Sequence, residues 1–187
     1  MLDKFQLVGR DLFLQGLVSS HGGNLSVRLG DRLLITRRGS MLGHLLEQDI
    51  IETGIYKNDR ATPLASSELE VHRAIYRTTS AQAIVHAHPP HSISFSLVQD
   101  VIRPKDLEGS YLLKEIPVLS IRLATEAPEE AQRVADVLRE HPIVVIRGHG
   151  IFSVGQLLEE AYHWTSTLEA SCRIALITEN WRRLSNM

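Results

Sequence analysis

His86-Ala87-His88, closing the apolar run Ala83-Ile84-Val85, is the sharpest chemical signal in the chain. Residues two apart on a strand project from one face, which puts two imidazoles side by side as a metal ion requires. A third histidine, His149, stands in Arg147-Gly148-His149-Gly150, just past the apolar run Ile143-Val144-Val145-Ile146. Its flanking glycines let the backbone bend and approach closely. Three imidazoles leave one coordination position open, the pattern of a catalytic rather than a structural zinc. The spacing of a His-x-His pair also suits an ordinary core or surface role, and His149 narrows that choice only modestly.

Glu68 is the next group to weigh. Ser67-Glu68-Leu69-Glu70 has the spacing of a capping box, in which Glu70 reaches back to the helix start. Glu68 is left without that role. Ser66 and Ser67 put two hydroxyls and free backbone N–H groups at the same helix N-terminus, a favourable place for phosphate. Gly22-Gly23-Asn24 and Arg38-Gly39 can form similar donor-lined loops. Any one of them reads equally as a turn. Three in the first third of the chain, beside candidate metal ligands, point to a small phosphorylated molecule. His91 is out of phase with the paired imidazoles and suits a supporting place in a first helical turn. His21 and His44 are candidate pocket residues, while His72, His141 and His163 read as packing or surface groups.

The elements that must position these groups alternate along the chain. Apolar periodicity predicts a helix over Leu2–Leu17, strands over Leu25–Leu29 and Leu33–Thr36 joined at Gly30-Asp31, and a strand over Ile50–Tyr56. A helix starting at Ser66 or Ser67, the strand ending in His88, and a short helix to Leu97 follow. Strands Ile116–Ile121 and Ile143–Ile146 flank a helix from Pro128 to Glu140, and a last helix covers Leu157–Thr178 with a polar tail after it. Hairpin signals among alternating helices imply an antiparallel or mixed sheet in a layered α/β sandwich.

Composition narrows the class. With 187 residues, 43% of them hydrophobic, the chain can bury a real core, and its length suits one domain over 1–187. Net charge is −2 without any block of like charge, so nucleic acid and anionic membranes are not expected partners. The single cysteine, Cys172, falls in a predicted buried helix and suits a reducing compartment, and the N-terminus lacks a secretory pattern, which together give a cytoplasmic expectation.

The ordered set Gly23-Asn24-Leu25-Ser26, Thr36-Arg37-Arg38-Gly39, Ser66-Ser67-Glu68, His86-Ala87-His88 and Arg147-Gly148-His149-Gly150 resembles the class II aldolase/adducin family, most nearly its L-fuculose-1-phosphate aldolases. Leu158-Glu159-Glu160-Ala161-Tyr162 fits the usual sequence after the third histidine, so the resemblance covers nearly the whole chain. It implies a three-layer α/β/α sandwich with a mainly antiparallel central sheet, assembled as a homotetramer with active sites between subunits. It also implies one zinc ion on His86, His88 and His149, with Glu68 as a further ligand that leaves the metal to act as acid and base. Cobalt, nickel and other first-row ions suit imidazoles as well. Asn24, Gly39, Ser66 and Ser67 match the positions that hold the phosphate. The implied reaction is reversible cleavage of a ketose 1-phosphate through a metal-stabilised enediolate.

Two departures from the family pattern stand out. Arg38 occupies a position that usually offers a hydroxyl to the phosphate, a role its guanidinium can fill with a bidentate fork. No tyrosine aligns with the group that protonates the aldehyde half from a neighbouring subunit; Asp106 falls nearest, with Glu108 and Tyr111 close by. Sister activities are L-ribulose-5-phosphate 4-epimerase and methylthioribulose-1-phosphate dehydratase, of which the short tail disfavours the epimerase. A non-enzymatic adducin-like interaction domain is disfavoured by the histidines, and a zinc cupin barrel by the long terminal helices.

Overall fold

The computed structural model describes residues 1–121 and 128–185. Six helices and eight strands follow in the order α1 (Leu2–Leu14), β1 (Asn24–Leu29), β2 (Arg32–Thr36), β3 (Ile50–Gly54), α2 (Leu69–Thr78), β4 (Ala83–Ala87), α3 (Pro90–Ser96), β5 (Val101–Ile102), α4 (Leu107–Leu112), β6 (Ile116–Leu119), α5 (Pro128–Val137), β7 (Ile143–Ile146), β8 (Gly150–Gly155) and α6 (Leu158–Ser185), with short 3₁₀ turns between some of them. The strands form one sheet in the order β3-β2-β1-β4-β8-β7-β6-β5. Its neighbours run antiparallel except β6 and β7, which run parallel.

Alternation of side chains across this sheet creates two cores. On one face Leu25, Val85, Val145 and Ile151 pack with Phe5 and Leu12 of α1 and Leu168 and Cys172 of α6. On the other, Leu33, Ile35, Ile84, Val144 and Phe152 pack with Ala74 and Ile75 of α2 and Val134 and Ala135 of α5. Helices therefore cover both faces, giving the three-layer α/β/α sandwich with a mixed, mostly antiparallel sheet. Strands β4 and β7 are buried at every residue, which explains why β7 is wholly apolar and β4 apolar but for His86. Among the described residues, no helix is long and apolar enough to cross a membrane.

Several elements depart from the sequence reading. Helix α2 starts at Leu69 with Glu68 at its N-cap, and the capping box does not form. Glu70 instead pairs with Arg73 at 2.7 Å, because the buried Arg73 guanidinium also donates to the Gly54 carbonyl and to Asn58 and needs an anion beside it. Strand β8 has no clear period-2 pattern, since it is buried on both faces, yet it joins β4 to β7 in the middle of the sheet. Helix α6 runs on to Ser185, through the stretch read as a polar tail, with solvent-facing residues beyond Cys172. Asn186 and Met187, the end of that tail, lie outside the described residues.

Phe152 ties the sheet centre to the histidines: its ring is fully buried and stacks on His86 with centroids 4.3 Å apart. Phe152→Ala should cost about 3–5 kcal/mol through lost burial and the cavity left behind. Urea denaturation against the parent chain measures it, and a loss under about 1 kcal/mol would contradict the packing described.

Candidate metal centre and phosphate pocket

Register places the key side chains. Asn24 of β1 pairs with His86 of β4, and His86 pairs with Phe152 of β8, so these three form one row across the middle of the sheet, on the face covered by α2. His86 stays on this row, whereas His88 lies just beyond the strand, where its N–H donates to the Leu17 carbonyl at 2.7 Å before Pro89 ends the run. His149 sits in a three-residue hairpin loop between β7 and β8. That loop is pinned from outside: the Gly148 N–H donates to Ser96 Oγ at 3.0 Å and the Arg147 guanidinium to Ser120 Oγ at 2.8 Å. Gly150 is required by close approach, because a Cβ there would lie 2.4 Å from the Ala87 carbonyl oxygen and 2.7 Å from the His88 ring.

The three imidazoles meet. Ring centroids lie 4.8 Å apart for His86 and His88, 5.2 Å for His86 and His149, and 5.1 Å for His88 and His149. One nitrogen from each falls within 4.8 Å of the others. His86 Nδ1 lies 2.8 Å from the Ile151 carbonyl oxygen, which can only accept, so the ring proton is on Nδ1 and Nε2 presents a lone pair. That Nε2 is 2.9 Å from His88 Nε2 and 3.1 Å from Glu68 Oε2. Glu68 Oε1 lies 3.2 Å from His149 Nε2. Electron-rich atoms crowded this closely need a cation or a shared proton among them. Ligands 2.0–2.1 Å from a tetrahedral zinc sit roughly 3.3 Å from one another, so the donor set suits such an ion in chemistry and spacing.

Electrostatics agree with that use. Burial lowers the basicity of both rings, His88 to about 4. Both rings are therefore neutral at pH 7, as ligands must be. Burial pushes the Glu68 carboxyl up, but the hydrogen bonds donated by His149 and Asn24 more than offset this and hold it well below the usual carboxylate range.

Above the histidines opens a cavity of about 190 Å³. Its wall combines His21-Gly22-Gly23-Asn24, Arg37-Arg38-Gly39-Ser40, Ser66-Ser67-Glu68, His88 and His149. The structure thus brings Asn24, Arg38, Gly39, Ser66 and Ser67 around the same space as Glu68 and the histidines. The Ser66–Glu68 corner is shaped locally, the Ser66 amide donating to Thr36 O at 3.1 Å and the Glu68 amide to Ser66 Oγ at 3.2 Å. Asp106 and Tyr111 do not line this cavity. Asp106 caps α4, accepting the Gly109 N–H at 2.8 Å, and Tyr111 projects from α4 with 79% of its surface exposed. His44 lies outside the cavity against Phe13, and His91 joins the start of α3 to Glu169. His72, read as packing or surface, is fully buried and bonded through both ring nitrogens, to Ser26 and Asn24. The available signal was its position one helical turn after Glu68.

Residues 3–176 match the family described as Class II Aldolase and Adducin N-terminal domain. The crystal structure of L-fuculose-1-phosphate aldolase from Thermus thermophilus superimposes with a TM-score of 0.91 at 41% identity, covering 97% of this chain and 95% of that one. L-fuculose phosphate aldolase from Methanocaldococcus jannaschii is 31% identical over 94% of this chain and 97% of its own length. A probable bifunctional methylthioribose-1-phosphate isomerase/methylthioribulose-1-phosphate dehydratase from Nocardia farcinica is 32% identical over 90% of this chain, which spans only 34% of that protein. With its fold, its histidine cluster and this match over most of its length, the chain belongs to the class II aldolase and adducin N-terminal domain family, among the metal-dependent, lyase-type enzymes of that family.

Proposed function

We propose that the chain is a zinc-dependent aldolase that reversibly cleaves L-fuculose 1-phosphate, or a close ketose 1-phosphate, to dihydroxyacetone phosphate and L-lactaldehyde. The observation that carries this reading is the convergence of three imidazole nitrogens and Glu68 at one end of a cavity otherwise walled by amides, hydroxyls, His21, Arg37 and Arg38. The names of the Thermus and Methanocaldococcus relatives favour the same substrate. Residues 1–187 are read as one domain of a cytoplasmic homotetramer with active sites between subunits.

His86, His88 and His149 would hold the metal, with Glu68 as an additional ligand in the resting enzyme. When bound, zinc supplies a Lewis acid that polarises the substrate oxygens and disperses the charge left by cleavage between C3 and C4. Glu68 exchanges a proton with C3 of the nascent dihydroxyacetone phosphate: it gives one on cleavage and takes one on condensation. Asn24, Gly39, Ser66, Ser67 and the Arg38 guanidinium hold the phosphate, and this remote binding keeps the reacting carbon in place beside Glu68. On condensation the aldehyde oxygen takes its proton from a group of a neighbouring subunit, and on cleavage the same group removes that proton from the C4 hydroxyl. Tyr111 is exposed and suits that role better than Asp106. Burial raises the Asp106 carboxyl, but the Gly109 N–H and Ser171 outweigh this and lower it, leaving it ionised at neutral pH.

The Nocardia relative makes methylthioribulose-1-phosphate dehydration the second reading. Incubating the zinc-loaded protein in parallel with L-fuculose 1-phosphate, L-ribulose 5-phosphate and methylthioribulose 1-phosphate separates the readings. Release of dihydroxyacetone phosphate is expected from the first; epimer formation from the second substrate alone, or dehydration of the third alone, would replace the proposal. Glu68→Gln should lower turnover by about 10²–10⁴ while zinc content stays near parent level, since the imidazoles hold the ion. Loss of metal from that variant would contradict this division of labour. His88→Ala should weaken zinc binding by more than the roughly 10–100-fold that losing a ligand's supporting hydrogen bond costs. Competition with a chromophoric chelator reads it, and unchanged affinity would remove His88 from the ligand set.

A further inference from the structure

Behind the cavity wall, a buried polar chain joins β1 to α2. His72 Nε2 lies 2.5 Å from Asn24 Oδ1, and His72 Nδ1 lies 2.6 Å from Ser26 Oγ. Ser26 Oγ is in turn 2.7 Å from the Tyr76 hydroxyl, and Asn24 Nδ2 donates to Glu68 Oε2 at 2.6 Å. Donor and acceptor roles have one consistent solution. The Asn24 amide oxygen only accepts, so His72 Nε2 carries the proton. Burial keeps His72 neutral by lowering it to about 3, so Nδ1 is bare and accepts from the Ser26 hydroxyl. Ser26 then accepts from Tyr76. Every member donates toward Glu68, and each bond polarises the next.

A flipped Asn24 amide would set two donors against each other at His72 and an oxygen against the Glu68 carboxylate. Rotation about the terminal bond of an asparagine is otherwise soft. We propose that His72 is a positioning residue: it locks the Asn24 amide so that one N–H holds the Glu68 carboxylate against the histidines, with the Asn24 side chain kept at the phosphate cavity. Glu68 and His72 lie one turn apart at the start of α2, so acid/base group and lock move together. The inference deepens the aldolase reading and rests on it for its effect on catalysis, while the lock itself is a property of the folded chain.

The test uses three variants. His72→Leu removes both bonds, His72→Gln restores an N–H where Nε2–H stood, and His72→Asn keeps a partner for Ser26 but none for Asn24. In the zinc-loaded protein, His72→Leu should weaken inorganic phosphate binding, measured by calorimetry, and lower kcat/KM for L-fuculose 1-phosphate, each by about tenfold or more. His72→Gln should recover to within about threefold of the parent. If His72→Leu does not fold, His72→Asn must show the same loss. A purely structural role would lower Tm and the active fraction while leaving the phosphate Kd and the KM of the folded fraction unchanged, and that result overturns the proposal. Exchange of the Asn24 side-chain amide hydrogens, followed by NMR, reads the lock without catalysis: slow in the parent, at least about tenfold faster in the Leu or Asn variant. Equal exchange rates overturn the lock, whereas slow parental exchange in a protein that cleaves no sugar phosphate overturns the aldolase reading and leaves the lock standing.

Discussion

Burying a carboxylate beside uncharged imidazoles costs free energy unless every lone pair is answered, and that constraint organises the centre of this protein. Glu68 meets it with Asn24 on one oxygen and His149 on the other. His86 in turn directs its proton to the Ile151 carbonyl and leaves its other nitrogen bare. The residual excess of lone pairs at the meeting point is what makes the cluster suited to a cation. Suitability for a cation and the alignment of Glu68 thus come from the same arrangement.

The sheet makes that arrangement rigid. Three neighbouring strands contribute Asn24, His86 and Phe152 to one row, and a one-residue slip of any of them would send its side chain to the opposite face. The groups that come from outside the strands are fixed separately: His88, just past β4, by the bond of its N–H to the Leu17 carbonyl. His149 is held by a hairpin whose loop is bonded to Ser96 and Ser120, and Glu68 by the first turn of a helix anchored through the buried Arg73. Loops carry most of the donors that face the cavity, Asn24 and His86 stand on strands, and His88, His149 and Glu68 are pinned just outside them.

The amino-acid sequence by itself determined the histidines and the carboxylate that the fold gathers, the layered α/β class and the loops that border the cavity. It could do so because those signals are local: a His-x-His pair ending an apolar run, glycines flanking His149, and paired serines ahead of Glu68. It also placed β4, β7, α1 and α3 well, since each has a terminator, Gly or Pro, within a few residues. What it lacked were features set by long-range contact. Strand β8 carries no alternation because both of its faces are covered, and α6 extends past its apolar portion because helix geometry continues where burial stops. Glu70 abandons the cap for Arg73, a partner whose burial only the β3–α2 packing creates. The place of His72 one turn after Glu68 could not disclose its two bonds, because its partners Asn24 and Ser26 lie more than forty residues away and meet it only when β1 lies beneath α2. Residue type and spacing were legible locally; which lone pair faces which proton was decided by strand register and helix packing.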